Sequence, residues 1–115
     1  MALEDLQEDI TPERTAELHA AGEVQLIDVR EAYEHDAGHI EGDRHLPFDR
    51  MAHEAESIDK ERPVVFYCRT GGRSATATQA FTASGYDAHN MVGGMVAWAE
   101  EGRPIAPEGG TVADH

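Results

Sequence analysis

Cysteine, lysine and long apolar segments are scarce in this sequence. Its 115 residues include a single cysteine, Cys68, which excludes an internal disulfide. The longest apolar run, residues 64–68, is far too short to span a bilayer. The N-terminal stretch MALEDLQEDI contains neither a basic region nor an apolar segment, so it predicts no signal peptide. We therefore expect a soluble protein of the cytoplasm.

Positive charge is also scarce. The chain has 9 basic residues against 23 acidic ones, a formal net charge of −14, and Lys60 is its one lysine. A surface of this sign repels nucleic acid and anionic membranes, so we expect neither as a partner. Solubility alone is one explanation of the acidic residues. The hypothesis that we favour is adaptation to high salt, in which counterions screen the repulsion between carboxylates.

The order of the predicted elements indicates one α/β domain, and the length suits a single core. Thr11 and Pro12 predict the start of a helix that Gly22 can end. Apolar, β-rich stretches predict strands at residues 24–29, 44–48, 64–67 and 87–92. Further helices are predicted within residues 30–42, 49–57, 74–85 and 93–102. Strands that alternate with helices predict a mainly parallel sheet with helices on both faces.

The stretch VVFYCRTGGRS places the one cysteine where a buried strand passes into a loop. Ligands of parallel α/β sheets bind at the carboxyl ends of strands, and Cys68 lies at such an end. Gly71 and Gly72 allow the backbone to turn so that its amides point inward as an anion-binding nest. Those amides, with a helix start and nearby arginines, favour a thiolate over a thiol. The alternative is a buried cysteine beside an ordinary strand-to-helix turn.

Four separated motifs resemble those of the rhodanese-like sulfurtransferases: IDVREAYEHDAGHIEG, VVFYCRTGGRS, the GY at residues 85–86, and VGGMVAWAEEGRPI. Each motif alone is weak, but together, in this order, they are highly specific. The pattern is most similar to small, single-domain members. The resemblance implies a rhodanese-like domain at residues 10–105, with a sheet of about five strands. An acidic extension would precede it at residues 1–9, and a loose tail would follow at residues 106–115.

The resemblance implies a sulfurtransferase that moves sulfane sulfur through a persulfide on Cys68. The donor would be thiosulfate or a similar small molecule, and the acceptor cyanide or a cellular thiol, with no cofactor and no metal. A sulfur-relay protein is a further expected partner. The terminal sulfur would be held by the active-site loop, which consists of Arg69, Thr70, Gly71, Gly72 and Arg73. The same resemblance assigns supporting roles to Asp28, Arg30 and Ser74, with Arg30 paired to Glu34 and Asp28 fixing the neighbouring loops.

Two roles are open for Arg73. It could bind the sulfonate end of the donor, together with Arg69, or it could be tied to a carboxylate such as Asp28 and brace the loop. In the phosphatases and arsenate reductases that share this fold, five residues separate the loop cysteine from the loop arginine. Here four residues separate Cys68 from Arg73. The shorter loop suits one sulfur atom better than a phosphate.

Other functions remain as alternatives to catalysis with thiosulfate. A rhodanese-like domain without activity could serve as a binding or regulatory module, and a carrier could pass persulfide sulfur between proteins. The histidines have no metal-ligand spacing, and His39 is predicted to be a hydrogen-bonded turn residue. Trp98 is predicted to lie in the core. Asp43 departs from the small apolar residue usual in the family, which puts the local packing there in question.

Overall fold

A five-stranded parallel sheet forms the centre of the molecule. The structure is a computed structural model that describes residues 6–114. The strands are β1 (Asp9–Ile10), β2 (Gln25–Asp28), β3 (Arg44–His45), β4 (Val64–Tyr67) and β5 (Ala88–Met91). Their order across the sheet is β1-β5-β4-β2-β3, and every pair is parallel. The α/β class with its parallel sheet is confirmed.

Among residues 6–114, five α-helices cover the two faces of this sheet. They are α1 (Pro12–Ala20), α2 (Ala32–Ala37), α3 (Met51–Glu54), α4 (Gly72–Ala83) and α5 (Gly94–Glu100). The start of α1 is as predicted, since the Thr11 hydroxyl accepts a hydrogen bond from the amide of Arg14 at 3.0 Å and Pro12 opens the helix. None of the helices among residues 6–114 is long and apolar enough to cross a membrane.

Strand β4 is buried on both faces, so its side chains contribute alternately to two cores. Val64 and Phe66 face the cluster beneath α3 and α4, which also contains Cys68. Val65 and Tyr67 face the cluster beneath α1 and α5, which contains Trp98. The predicted core position of Trp98 is confirmed, because it is 3% exposed and its ring nitrogen donates to the carbonyl of Pro104 at 2.8 Å. Cys68 therefore extends from the most buried strand of the sheet.

Three segments differ from the prediction. The helix expected at residues 49–57 is a short α3 between two 3-10 turns, Phe48–Arg50 and Ala55–Ser57. Helix α4 begins at Gly72, two residues before Ser74, because Gly71 at φ 109° provides the left-handed cap. Strand β1, which was not predicted, begins at Asp9, the last residue of the extension expected at residues 1–9, of which residues 1–5 lie outside the described part.

The segment from residue 106 onward was expected to be a loose tail, and through Asp114 the structure holds it instead. Ala106 and His39 form an antiparallel bridge with two hydrogen bonds of 2.8 Å. The amide of Thr111 donates to the carbonyl of Ala37 at 2.8 Å. The segment is thereby fixed along α2, beside the end of the sheet where Cys68 lies.

Candidate active site

The thiol of Cys68 lies at the bottom of the loop between β4 and α4. The residue is 1% exposed, and its Sγ accepts a hydrogen bond from the amide of Gly71 at 3.1 Å. The hydroxyl of Ser74 lies 3.4 Å from the same sulfur. Burial raises the pKa of the Cys68 thiol, but the hydrogen bonds from the Ser74 hydroxyl and the backbone of Ser74, Gly71 and Thr70 outweigh it, so the pKa is lowered overall. The surroundings therefore favour a thiolate.

Helix α5 fixes the other side of this loop. The amides of Met95 and Val96 donate to the carbonyls of Cys68 and Arg69 at 2.9 and 3.0 Å. This contact requires glycine at position 94, where φ is +55° and a Cβ would overlap both of those carbonyl oxygens. The VGGM motif thus brings the start of α5 against the backbone of the loop.

Arg73 is tied to a buried carboxylate. Its guanidinium donates to both carboxylate oxygens of Glu34 in α2, at 2.9 and 3.0 Å, and the Glu34 side chain has no exposed surface. Burial raises the pKa of Glu34, but the hydrogen bonds from Arg73 and from the Glu31 amide outweigh it, and the pKa is lowered. The carboxylate is Glu34 and not Asp28, which had been suggested for Arg73.

Asp28 and Arg30 form a second buried pair. Arg30 donates to the two carboxylate oxygens of Asp28 at 2.9 Å each and to the carbonyl of Gly38 at 2.6 Å. The expected pairing of Arg30 with Glu34 is therefore wrong. Residues 28 and 30 point to the same face of an extended chain, whereas α2 turns Glu34 toward the loop of Cys68. The two pairs fix neighbouring loops by separate contacts.

Arg69 is partly exposed and contacts the segment that follows residue 106. Its Nε donates to the carbonyl of Ala113 at 3.2 Å, and its Nη2 lies 3.3 Å from the carboxylate of Asp114. The hydroxyl of Tyr33 in α2 donates to the carbonyl of Asp114 at 3.2 Å. The guanidinium of Arg69, which was predicted to bind an anionic donor, is thus already paired with the carboxylate of Asp114.

Three histidines stack beside Asp28. The ring of His35 lies 3.8 Å from that of His39 and 4.5 Å from that of His45, with small interplanar angles of 13° and 16°. His35 and His39, with Asp43, bring possible metal-ligand atoms within 4.8 Å of one another. The lone pairs of two stacked rings lie in nearly parallel planes, however. In addition, Nδ1 of His35 contacts Asp28, and Nδ1 of His39 contacts the carbonyl of His35. This geometry suits stacking better than a shared ion.

Asp43 is buried next to this stack. It accepts a hydrogen bond from the hydroxyl of Tyr67, which in turn accepts from the amide of Ile40 at 3.1 Å. Burial raises the pKa of Asp43 by more than the contacts with Tyr67 and His35 lower it. The unusual aspartate is accommodated because the Tyr67 hydroxyl, at the end of β4, reaches it.

An apolar cavity of about 290 Å³ opens between α3 and α4. Met51, Phe81 and Tyr86 line it, and the loop of Cys68 does not. It therefore contributes nothing to the geometry around the thiol.

Comparison with known proteins agrees with this fold. Residues 11–101 match the family model described as Rhodanese-like domain. The chain belongs to the rhodanese-like family. A rhodanese-like domain protein of Staphylococcus aureus has a solved structure that superimposes with a TM-score of 0.76 at 28% identity, and the match covers 94% of this chain and 100% of that one.

Two relatives differ in how much of their length this chain covers. A protein of Allochromatium vinosum named sulfurtransferase is 40% identical over 89 residues, which are 76% of this chain and 83% of that protein. The probable adenylyltransferase/sulfurtransferase MoeZ of Mycobacterium tuberculosis is 38% identical over 100 residues, 83% of this chain. This chain spans 25% of the length of that mycobacterial protein.

The rhodanese loop gathers most of the predicted site, and one polar neighbour was missed. Cys68, the loop through Arg73, and Ser74 lie together. Asp28 and Arg30 lie beside this loop, but their side chains bind each other and not the loop. Asn90 was not predicted, although it is 5% exposed and accepts a hydrogen bond from the Ser74 hydroxyl at 2.6 Å. Its signal in the sequence is a polar amide within the short strand predicted at residues 87–92, which is buried along β5.

Proposed function

We propose that this protein is a sulfurtransferase in which Cys68 carries a sulfane sulfur as a persulfide. The observation that supports the proposal most directly is the buried Sγ of Cys68 accepting a hydrogen bond from a loop amide, with a lowered thiol pKa. A thiolate held among backbone donors is both a nucleophile and a place where a second sulfur can be stabilised. The names of the relatives are consistent with this chemistry.

With thiosulfate as donor, the reaction has two steps. In the first, the Cys68 thiolate attacks the outer sulfur, the new bond joins Sγ to that sulfur, and the bond to the sulfonate group breaks. Sulfite leaves with the electron pair, and the negative charge moves to the terminal sulfur, where the amides of the loop from Arg69 to Arg73 stabilise it. In the second step, cyanide or a thiolate attacks the terminal sulfur and Cys68 leaves as a thiolate. No cofactor is needed, because Cys68 itself carries the sulfur.

The arginines of the loop take different parts in this proposal. Arg73 braces the loop through Glu34, which is buried and bound in a bidentate manner. Arg69 is the cation that meets the sulfonate end of the donor, since its contact with Asp114 is with an exposed carboxylate that an anion can displace.

Intact-mass measurement tests the proposal. After thiosulfate treatment the protein should gain one sulfur, about 32 Da, and lose it on addition of cyanide. The Cys68→Ser variant, treated identically, should show no gain. The measurement is made at low and at molar KCl, since the acidic chain could require salt to fold. No gain in a folded protein under either condition would contradict the use of thiosulfate, and transfer from a protein persulfide would then indicate a carrier.

A further inference from the structure

The hydroxyl of Ser74 has two acceptors and one proton. Its Oγ lies 3.4 Å from Sγ of Cys68 and 2.6 Å from Oδ1 of Asn90, and all three residues are buried. A serine hydroxyl donates one hydrogen bond at a time. The thiolate and the Asn90 carbonyl oxygen therefore compete for the same proton.

Asp9 determines which atom of the Asn90 amide faces Ser74. The amide nitrogen of the Asn90 side chain donates to the Asp9 carboxylate at 3.4 Å. The side-chain oxygen is thereby turned toward Ser74, where it can only accept. Asp9 lies on β1 and Asn90 on β5, and these two residues are register partners in the sheet. The pairing of β1 with β5 thus fixes the second acceptor of the hydroxyl.

The charge on Sγ changes during the proposed cycle, and the competition changes with it. When Cys68 is ionised, Sγ is a thiolate and a good acceptor. Once a sulfur is loaded, Sγ is a neutral sulfur between carbon and the terminal sulfur, and the negative charge lies further out. A neutral divalent sulfur is a weak acceptor. The Asn90 oxygen, at the shorter distance, is then the better partner for the Ser74 hydroxyl.

We propose that Asn90 is a positioning residue, which accepts the hydrogen bond of the Ser74 hydroxyl when sulfur is loaded and competes for that hydrogen bond when Cys68 is a thiolate. Asn90 acts through Ser74 and contacts neither the donor nor the acceptor. Only the second half of this inference, the hydrogen bond in the sulfur-loaded state, rests on the persulfide cycle proposed above. Its first half concerns the ionisation of a thiol and can be measured without any sulfur donor.

Ionisation of Cys68 tests the first half. Thiolate absorbance near 240 nm is followed against pH, and the Cys68→Ser protein serves as the blank, because the chain has no other cysteine. Ser74→Ala removes the donor and should raise the midpoint by about one pH unit. Asn90→Ala removes the competing acceptor and should lower the midpoint. The double variant should match Ser74→Ala alone, since without the hydroxyl there is no proton to share.

Asp9→Ala provides a second test, at an exposed position of β1. The Asn90 amide, no longer held by Asp9, can turn its nitrogen toward Ser74, and the midpoint should fall as in Asn90→Ala. Loss of the Asp9 charge alone would lower the midpoint equally in the Ser74→Ala background, whereas the turn of the amide requires the Ser74 hydroxyl. An unchanged midpoint in both Asn90→Ala and Asp9→Ala would overturn the inference. An equal shift of the midpoint by Asn90→Ala with and without Ser74 would overturn it as well.

The rate of sulfur loading tests the second half. At a pH where all variants are fully ionised, the rate constant with thiosulfate should fall several-fold in Asn90→Ala, because the hydroxyl then lacks a partner in the loaded state. In the Ser74→Ala background the same substitution should change nothing. Suppose that the Asn90→Ala shift of the ionisation midpoint depends on Ser74 as expected, while neither the wild type nor any variant gains a sulfur. In that case the proposed function fails, and the competition of Asn90 and Cys68 for the Ser74 hydroxyl stands. If sulfur is gained but the rates do not couple, the inference fails and the function stands.

Discussion

Glu34 combines complete burial with a charge, and this combination predicts how the protein responds to acid. Its folded-state pKa is lowered because Arg73 and the Glu31 amide outweigh the effect of burial. A carboxyl of this kind stabilises the fold above its unfolded pKa, and the stabilisation is lost as the pH falls below about 4.3 toward the folded value. At pH 6, Glu34→Gln should therefore lower the free energy of unfolding by about 2 kcal/mol.

Urea unfolding at pH 6 and at pH 3.5 measures this effect. The difference between wild type and Glu34→Gln should narrow at the lower pH, because the unfolded chain binds a proton at Glu34 before the folded protein does. A difference that stays constant between the two pH values would show that the charge of Glu34 is not what stabilises the loop.

Asp43 predicts the opposite dependence of folding stability on pH. Burial is the largest influence on its pKa and raises it, so the native state prefers the protonated form. Ionisation therefore destabilises the fold as the pH rises through the unfolded pKa toward the folded one. Asp43→Asn keeps an oxygen for the Tyr67 hydroxyl and removes the charge. It should unfold at higher urea than wild type at pH 7, and the gain should shrink toward pH 4. A variant less stable than wild type at pH 7 would refute this account.

The residues of the site differ in how far the sequence could predict them. The loop from Cys68 to Arg73 is one continuous stretch, and its glycines and arginines follow a strand directly, so its position and the inward-pointing amide of Gly71 were accessible from local pattern alone. The partners of its arginines were not. Whether Arg73 meets Asp28 or Glu34 depends on the rotation of the short helix α2, which is fixed by contacts remote in sequence.

At the level of elements, the approach of α5 to the loop makes Gly94 a sensitive position. A methyl group there would overlap the carbonyl oxygens of Cys68 and Arg69, in addition to the cost of a positive φ. Gly94→Ala should lower the free energy of unfolding by about 3 kcal/mol and reduce sulfur loading.

Gly102→Ala is the matched control for this variant. Gly102 also has a positive φ, at +74°, but no atom lies within 4 Å of a Cβ placed there. Its substitution should cost about 1 kcal/mol, from the backbone alone, and leave loading unchanged. Equal losses of stability and loading in the two variants would show that the contact between α5 and the loop does not matter.

The segment along α2 leads to a prediction about the donor. Asp114 pairs with Arg69, so an anionic donor must compete with it for the guanidinium. Asp114→Asn should lower the KM for thiosulfate about two-fold at low ionic strength, and the effect should vanish as salt screens the pair. Glu56→Gln changes the net charge equally at an exposed position outside the site. An equal decrease in its KM would assign the effect to overall charge.

Elements with their own local signals were predicted, and strand β1 and the order of residues 106–114, which depend on distant partners, were not. Helix α1 has a cap and a proline, and β4 is an uninterrupted apolar stretch, so both follow from short-range chemistry. Strand β1 is two residues long and exists because Asp9 and Ile10 pair with β5. The order of residues 106–114 likewise depends on the carbonyls of α2 and on His39, which no pattern within the segment reveals.

For the whole molecule, the net charge of −14 predicts a dependence of stability on salt. Repulsion among carboxylates opposes the compact state, and molar KCl screens it. The Tm at 2 M KCl should exceed that at 50 mM KCl by about 5 °C or more. Equal Tm values under the two conditions would contradict adaptation to salt and leave solubility as the explanation of the acidic surface.

The outermost strands of the sheet are also its shortest. Both β1 and β3 contain two residues, whereas the three strands between them contain four each. A long edge strand offers a row of unpaired amides and carbonyls on which another chain can add a strand, and short edges withhold that template. When high salt screens the repulsion between molecules, these short edges still disfavour aggregation through added strands. The protein can therefore be expected to stay dispersed under the conditions in which its charge no longer keeps copies apart.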